Sequence, residues 1–583
     1  MKKLYLMLSM LFAFGTAANA VPAKKLQKVI TLANGAKVSV ELRGDEYLSW
    51  WEGADGTAYR ATADDAVFEA FDLEAQKPAA AARRAKTELG RAARLARVNN
   101  SLKGADDKMR GLGGDHITYK GVKKGLVVLV DFKNKKFADG HDLEYYKQII
   151  NGKDFSDPTE GYVGSVRDYF LAQSNGQFEL DFDVVGPVTM SQNYGYYGRD
   201  VGSQKDENVY KMIQEACDGI KDQVNLADYD WDGDGEADQV FFLYAGLGQA
   251  SGGSPSTIWP HESQLRYWHC GVLKYSTGNV NTYACANELQ PTTQGSSNYI
   301  SAGIGTICHE FSHCLGFADM YDTAGQNGYG MTVFDVMDQG SYNGNGFVPC
   351  NYTAFERIYA GWVEPIELES PATVKDMKSV SDYGRPFIMY NFKNTNEYFL
   401  MENRQNTGWD KELYGCNGLL IVHVNYVPSR WTNNSVNSSK EKIQCCTVVN
   451  ADGSREMSDY YSLQGDLYPY VVKGVTMNDA FTDESEPAAK LYNKNSDGTY
   501  YLGIPITDIK RSKGSISFNV CGGDNNNILD NTFKEIVDVI NGITVANKAR
   551  DNRVYSIDGR YLGTDASKLG KGIYVVGGKK IVK

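Results

Sequence analysis

Cys308-His309-Glu310-Phe311-Ser312-His313-Cys314-Leu315-Gly316-Phe317-Ala318-Asp319 is the stretch from which the rest of the chain can be read. It holds H-E-x-x-H followed by G-x-x-D. Residues four apart lie on one face of a helix, so His309 and His313 can present ring nitrogens to a single metal ion. Glu310, beside the first ligand, is placed to take a proton from a metal-bound water. Gly316 lacks a Cβ and can adopt φ > 0, which ends the helix sharply. That turn lets Asp319 swing back as a third ligand. Three protein ligands and one open position are the pattern of a catalytic zinc. Only seven histidines occur in 583 residues, so two at this spacing around a glutamate are not a chance expectation. A structural Cys2His2 site built from Cys308, His309, His313 and Cys314 fails on geometry, because adjacent helix residues point about 100° apart. A Cys308–Cys314 bridge fails as well, since six residues rise about 9 Å along a helix.

Downstream lies Val333-Phe334-Asp335-Val336-Met337-Asp338-Gln339-Gly340-Ser341-Tyr342. With the extended zinc motif, it resembles the Met-turn of metzincin peptidases, Met337 being the methionine. The common metzincin motif ends in a third histidine, where this chain has Asp319, with Asp322 following. That exchange resembles the immune inhibitor A family of secreted zinc peptidases. Gly125 to Phe132 is similar to the family's opening strand and Ser165 to Phe170 to its first helix. Ile258-Trp259-Pro260-His261 and Tyr398 to Arg404 also fit its pattern, so the likeness spans most of residues 120 to 520. The resemblance implies an α+β, zincin/metzincin-like catalytic domain with a mixed twisted sheet and an active-site helix. It also implies zinc on His309, His313 and Asp319, with Gly316 and Met337 supporting the site. Some metzincins place a tyrosine two residues after the methionine. Here that position is Gln339, and Tyr342 is the nearest candidate to stabilise the transition state, a packed aromatic being the alternative.

The chain opens with Met1-Lys2-Lys3, an apolar run from Leu4 to Phe14, and Ala18-Asn19-Ala20. A basic start, a short apolar segment and an A-x-A site describe a secretory signal peptide over residues 1–20. The apolar run is too short for a membrane span, and no cysteine follows the cut to accept a lipid. Residues 21–76 alternate, as in Lys37 to Leu42, and break at Asn34-Gly35, Gly44-Asp45 and Asp55-Gly56. They read as a small β-rich unit with hairpin turns, and resemble the family's prodomain, which implies that this segment inhibits its own enzyme. Residues 77–120 are rich in Ala and Arg (Arg83, Arg84, Arg91, Arg94, Arg97) and read as an exposed, helix-favouring linker open to an activating cut, a plain linker helix being the alternative. The first cysteine is Cys217, so no prodomain thiol can block the metal. A carboxylate remains, without an assignment.

The catalytic domain is expected over 121–365. Leu126 to Val130 reads as a buried strand, Asp142 to Ile150 and Ser165 to Gln173 as helices, and Phe178 to Val188 as a strand. Tyr283 to Glu288 is expected to line the cleft, and Pro349 to Trp362 to form a closing helix. His261 reads as a surface or packing residue rather than a ligand. A second chemical signal is Asp228-Tyr229-Asp230-Trp231-Asp232-Gly233-Asp234-Gly235-Glu236-Ala237-Asp238. Alternate carboxylates closed by glycine resemble the first half of a calcium loop. Asp230, Asp232 and Asp234 would be ligands, Glu236 would give its carbonyl, and Asp238 a further contact. The twelfth position is Phe241, so this is not a regular EF-hand. So many carboxylates repel one another unless a cation lies among them, and calcium is the expected structural ion.

Residues 366–521 read as an antiparallel β-rich domain. Residues 522–583 read as a polar linker and a small β tail with the pattern VYxxxGR…KGIYVV…K. That tail resembles a type IX secretion sorting domain, with a plain terminal hairpin as the alternative. Length fits three or four domains, and 42% apolar and 23% charged residues are ordinary globular composition. A net charge of −12 and a pI of about 5.3 speak against nucleic-acid or anionic-membrane partners. Ten cysteines permit disulfides after export, at a density too low to be the main scaffold. The sequence therefore points to an exported zinc endopeptidase acting on proteins or peptides, secreted or held at the cell surface. The other class it allows is a calcium-binding adhesion protein with a vestigial zincin site.

Overall fold

A computed structural model describes residues 18–19, 21–85 and 119–533 apart from 202–204, 294–295, 325–327, 414, 439–442 and 456–462. It also gives the strand backbones of 554–556, 561–563, 573–576 and 579–582. The architecture is α+β, with several sheets and few helices. At its centre four strands run parallel: Phe178–Thr189, Gly121–Asp131, Val240–Leu247 and Thr282–Pro291, side by side in that order. They are covered on both faces, which is why Leu126 to Val130 is an unbroken apolar run. The two-residue period sorts their side chains. Val127, Leu129, Phe241 and Leu243 face a core that contains Ile307, Cys308 and Phe311 of helix Gly305–Cys314. Leu126, Val128, Val130 and Phe242 face helix Val209–Ile220 through Met212, Ile213 and Ala216. His261–Gln264 closes this side of the sheet as an antiparallel strand, and on it lies Ala18–Asn19, also antiparallel.

The local signals have direct structural counterparts. Asp142 caps helix Leu143–Asn151 by accepting the Tyr145 N–H, and Ser165 forms a capping box with Asp168 ahead of helix Val166–Gln173. Residues 27–70 form a closed five-stranded barrel, whose core residues Ile30, Val40, Leu42, Trp51 and Phe68 share a cluster with Ala250 and Trp259 of the main body.

After the central sheet, two further sheets pack on one another. Strand Phe387–Tyr390 shows how they connect to the site: Phe387 and Met389 join Val374, Ile506 and Phe518 in a separate core. Ile388 and Tyr390 point the other way, into the same core as helix Gly305–Cys314. Residues Met1–Lys534 accordingly form one compact unit, with Glu535–Lys583 a second. In that second unit four short strands pair antiparallel in the order Tyr561–Gly563, Val554–Ser556, Ile573–Val576, Lys579–Val582.

Several expectations change. Residues 73–85 are helical, as their composition favours, but the basic stretch is not exposed throughout: Arg84 is buried in an ion pair with Asp45, and Arg83 donates to the Tyr47 carbonyl at 2.7 Å. Arg91, Arg94 and Arg97, like residues 1–17 and Ala20, lie outside the described residues. Only Ala354–Tyr359 of the expected helix 349–362 is α-helical. The segment after 521 continues the fold as strand Ile528–Leu529, paired with Thr373–Val374. Of Tyr283 to Glu288, Tyr283 to Cys285 pair with strands on both sides, whereas Ala286 and Asn287 pair only with Val240–Leu247. None of the ten cysteines is in a disulfide. No described helix is long and apolar enough to cross a membrane.

Candidate metal centre and cleft

Helix Gly305–Cys314 is entirely buried. Its first residue lies so close to the following loop that a Cβ on Gly305 would stand 1.8 Å from the Ser341 carbonyl oxygen. His309 and His313 share one face, and the chain leaves the helix through Gly316 at φ +88°. No L-residue with a side chain adopts that φ cheaply. Asp319 then returns, its Oδ1 3.2 Å from His309 Nε2 and 3.5 Å from His313 Nε2. Both imidazoles are oriented from behind: Nδ1 of His309 lies 2.7 Å from the Val336 carbonyl, and Nδ1 of His313 2.8 Å from that of Phe317. Each Nε2 is thereby turned toward the shared centre.

The three ligand atoms fit a metal. Two ligands each about 2.0–2.1 Å from a tetrahedral zinc stand about 3.3 Å apart, close to the observed separations. His309 Nε2 and Asp319 Oδ1 have no hydrogen-bond partner among the described residues although both are buried. Burial opposes the charge of Asp319, but His313, His309 and the Asn434 amide together hold its carboxyl below the usual range. Burial pushes Glu310 well upward, helped by the charge of Asp319 and opposed by the Val21 N–H.

The segment 333–342 is fastened from several sides. Met337 is fully buried; its N–H donates to Asp335 Oδ1 at 2.9 Å and its carbonyl accepts the Met320 N–H at 2.9 Å. Arg404, on strand Glu397–Arg404, pairs with both oxygens of Asp410 at 2.6 and 2.7 Å and donates to the Phe334 carbonyl at 3.0 Å. The β-rich region downstream thus braces the turn that orients His309.

The N-terminal segment crosses the site. Val21 N–H donates to Glu310 Oε1 at 2.7 Å, and Trp259 Nε1 donates to the Val21 carbonyl at 3.2 Å. Tyr342 Oη donates to the Pro22 carbonyl at 2.8 Å and Gln339 Nε2 to that of Ala23 at 3.3 Å. Tyr342, considered as a transition-state stabiliser, is therefore placed against this segment. Lys24 reaches Gln290 Oε1 at 2.6 Å, and burial lowers its pKa to about 8. His261 is buried, with Nδ1 2.6 Å from the Trp259 carbonyl and Nε2 2.9 Å from Tyr283 Oη.

The acidic loop divides. Carboxylate oxygens of Asp230, Asp232 and Asp238 come within 4.8 Å of one another. Asp234 Oδ1 instead accepts the Glu236 N–H at 2.8 Å, and the Glu236 carboxylate is turned to Arg266 and Asn281. Asn434 is a residue that no sequence signal singles out: it bonds Asp319 through both its side chain and the Asp319 backbone.

Fold and site together describe a peptidase-type catalytic domain. Residues 120–363 match the immune inhibitor A peptidase M6 catalytic domain. The chain is similar to the pre-pro-metalloprotease PrtV of Vibrio cholerae serotype O1, strains M66-2 and ATCC 39315 / El Tor Inaba N16961. Identity is 26% over 358 residues, covering 52% of this chain and 37% of PrtV. It is also similar to Immune inhibitor A of Bacillus thuringiensis subsp. alesti, 24% identical over 298 residues, covering 42% of this chain and 41% of that protein. The chain thus spans about two fifths of the length of these relatives. A metallopeptidase domain of this kind implies a bound metal.

Proposed function

We propose that the protein is an exported zinc endopeptidase made as a zymogen. The observation that carries this reading is the convergence of His309 Nε2, His313 Nε2 and Asp319 Oδ1, with the Glu310 carboxylate on the same helix. Zinc held by these three groups supplies a water of lowered pKa and a polarised scissile carbonyl. Glu310 takes the proton of the attacking water and hands it to the leaving amine. The strand His261–Gln264, which pairs with Ala18–Asn19 in the uncut chain, gives an extended peptide backbone a strand to pair with once residues 1–20 are removed. This geometry suits protein and peptide substrates.

Residues 21–76 act as the prodomain. Val21 to Ala23 are bound by Glu310, Trp259, Tyr342 and Gln339 where a substrate would lie. A signal-peptide cut after Ala20 turns the Val21 N–H into an α-amino group against the Glu310 carboxylate, so the block is the new chain terminus. Activation requires a cut in the basic stretch beyond residue 85. Calcium at Asp230, Asp232 and Asp238 would be structural, since three close carboxylates favour a divalent cation. Export follows from residues 1–20, and the terminal strands serve as a sorting signal that delivers the protein outside the cell or to its surface.

The test is casein cleavage after limited proteolysis of the purified chain. Activity should vanish on chelation, return with zinc, and fall at least about a thousandfold in Glu310→Gln. A processed chain that binds zinc yet cuts no peptide, wild type and variant alike, would leave a binding protein with a vestigial site.

A further inference from the structure

Asp319 lies beyond helix Gly305–Cys314, in a stretch with no regular secondary structure. No helix ladder holds it in place. It is held instead by Asn434, which lies about 70 residues past the matched catalytic segment and is fully buried (0% exposed). Asn434 Oδ1 accepts the Asp319 backbone N–H at 2.7 Å, and its Nδ2 donates to Asp319 Oδ2. A single amide thus grips both the backbone and the carboxylate of one residue. With Oδ2 engaged, Oδ1 is the oxygen that faces His309 and His313, at 3.2 and 3.5 Å.

We infer that Asn434 is a positioning residue for the metal, fixing Asp319 as a ligand through one oxygen and so preserving an open position for solvent. This rests on the metal-centre reading proposed above. The chemistry suits the task. A neutral amide orients a carboxylate without cancelling the charge that attracts the ion, which a lysine or arginine there would do. A carboxylate free to rotate would offer both oxygens and crowd the fourth position; partners behind a ligand prevent this and contribute to metal affinity.

Asn434 is itself held for the purpose. Its φ of +46° is one that asparagine tolerates better than most residues. Its carbonyl accepts Thr323 Oγ1 at 2.8 Å. Asn437 Nδ2 donates to the Met320 carbonyl at 2.6 Å, and Ser438 Oγ to Asp322 Oδ1 at 2.8 Å. The loop 434–438 therefore clasps 319–323, and the third ligand is positioned from outside the segment that carries the H-E-x-x-H motif.

The test uses the full chain. Asn434→Gly suits the positive φ and removes the amide, while Ser438→Ala removes the hydroxyl that bonds Asp322, Thr323 and Ala324 and leaves Asp319 alone. Zinc dissociation constants come from competition with a chromophoric chelator, and coordination number from the visible spectrum of the cobalt-loaded protein. Asn434→Gly should weaken zinc roughly ten- to hundredfold and lower the cobalt band intensity as coordination expands; Ser438→Ala should stay within about twofold. An Asn434→Gly protein with parental zinc affinity and an unchanged cobalt spectrum overturns the inference. So does an equal loss in Ser438→Ala, which would make Asn434 one loop anchor among several. If Asn434→Gly does not fold, Asn434→Ser, too short to reach both Asp319 atoms, gives the same comparison. Asp319→Ala separates the two levels: if it loses zinc while Asn434→Gly does not, only the role of Asn434 falls. If it too keeps zinc, the metal centre falls.

Discussion

Val21 donates its backbone N–H to Glu310 Oε1 at 2.7 Å, joining residues 289 positions apart. The next two carbonyls are received by Tyr342 and Gln339, so the segment is bound through its main chain, as a substrate would be. A device of this kind holds by the sum of modest hydrogen bonds, and each can be removed singly.

Tyr342→Phe deletes the bond to the Pro22 carbonyl. At about 1 kcal/mol for one such bond, the unprocessed chain should leak about fivefold more activity, read with a fluorogenic peptide before any activating cut. The processed enzyme should keep its kcat within about twofold. A collapse of kcat after processing would return Tyr342 to the transition-state role.

Arg84 is buried with Asp45 against Tyr47, and Glu46 lies buried beside them. Burial pushes both carboxyls upward, the Arg84 charge partly offsetting this. Arg84→Met leaves two buried acids without their cation, a change worth about 3–5 kcal/mol. The expected outcome is a lower urea midpoint for the unprocessed chain and faster activation by trace protease. An unchanged midpoint would mean that the helix of residues 73–85 does not secure the barrel.

His261 carries a pH dependence of known sign. Burial lowers its pKa to about 4, the Trp259 carbonyl bond only partly opposing. The unfolded chain binds this proton near pH 6.5 and the folded one near 4, so stability is full above about 6.5. It is lost as pH falls from there to about 4, by roughly 3 kcal/mol. Denaturant titrations across that window should show the loss, and His261→Gln should flatten it. A variant with the parental slope would assign the acid sensitivity to other groups.

Calcium should raise the melting temperature of the chelator-treated protein in a concentration-dependent way, because a ligand of the folded state alone stabilises by mass action. Asp230→Asn should abolish that response with little effect on zinc-dependent cleavage. A full calcium response in the variant would move the ion away from Asp230, Asp232 and Asp238.

Much of the layout is written locally. The 3.6-residue period puts His309 and His313 on one face, and Gly316 lets the chain turn at φ +88°. Leu126 to Val130 is apolar without a break because both faces are covered. Gly35 and Gly56, each at positive φ, make the barrel turns announced by Asn34-Gly35 and Asp55-Gly56. Other features had no local signature. Tyr283 to Glu288 suits an edge or an interior strand equally, and only the short strand His261–Gln264 makes Tyr283 to Cys285 interior. Arg84 sits in a stretch whose composition reads as solvated, and its burial depends on Asp45, 39 residues earlier.

By itself, then, the sequence determined what depends on neighbours in the chain: helix faces, turns, caps, and which residue types could serve a metal. Only the tertiary structure decided which groups meet there. Val21 reaches Glu310 across 289 residues and Asn434 reaches Asp319 across 115. The reason is physical: periodicity constrains a side chain's direction relative to its own backbone, whereas the partner it finds is set by how separate sheets and loops pack around a shared core.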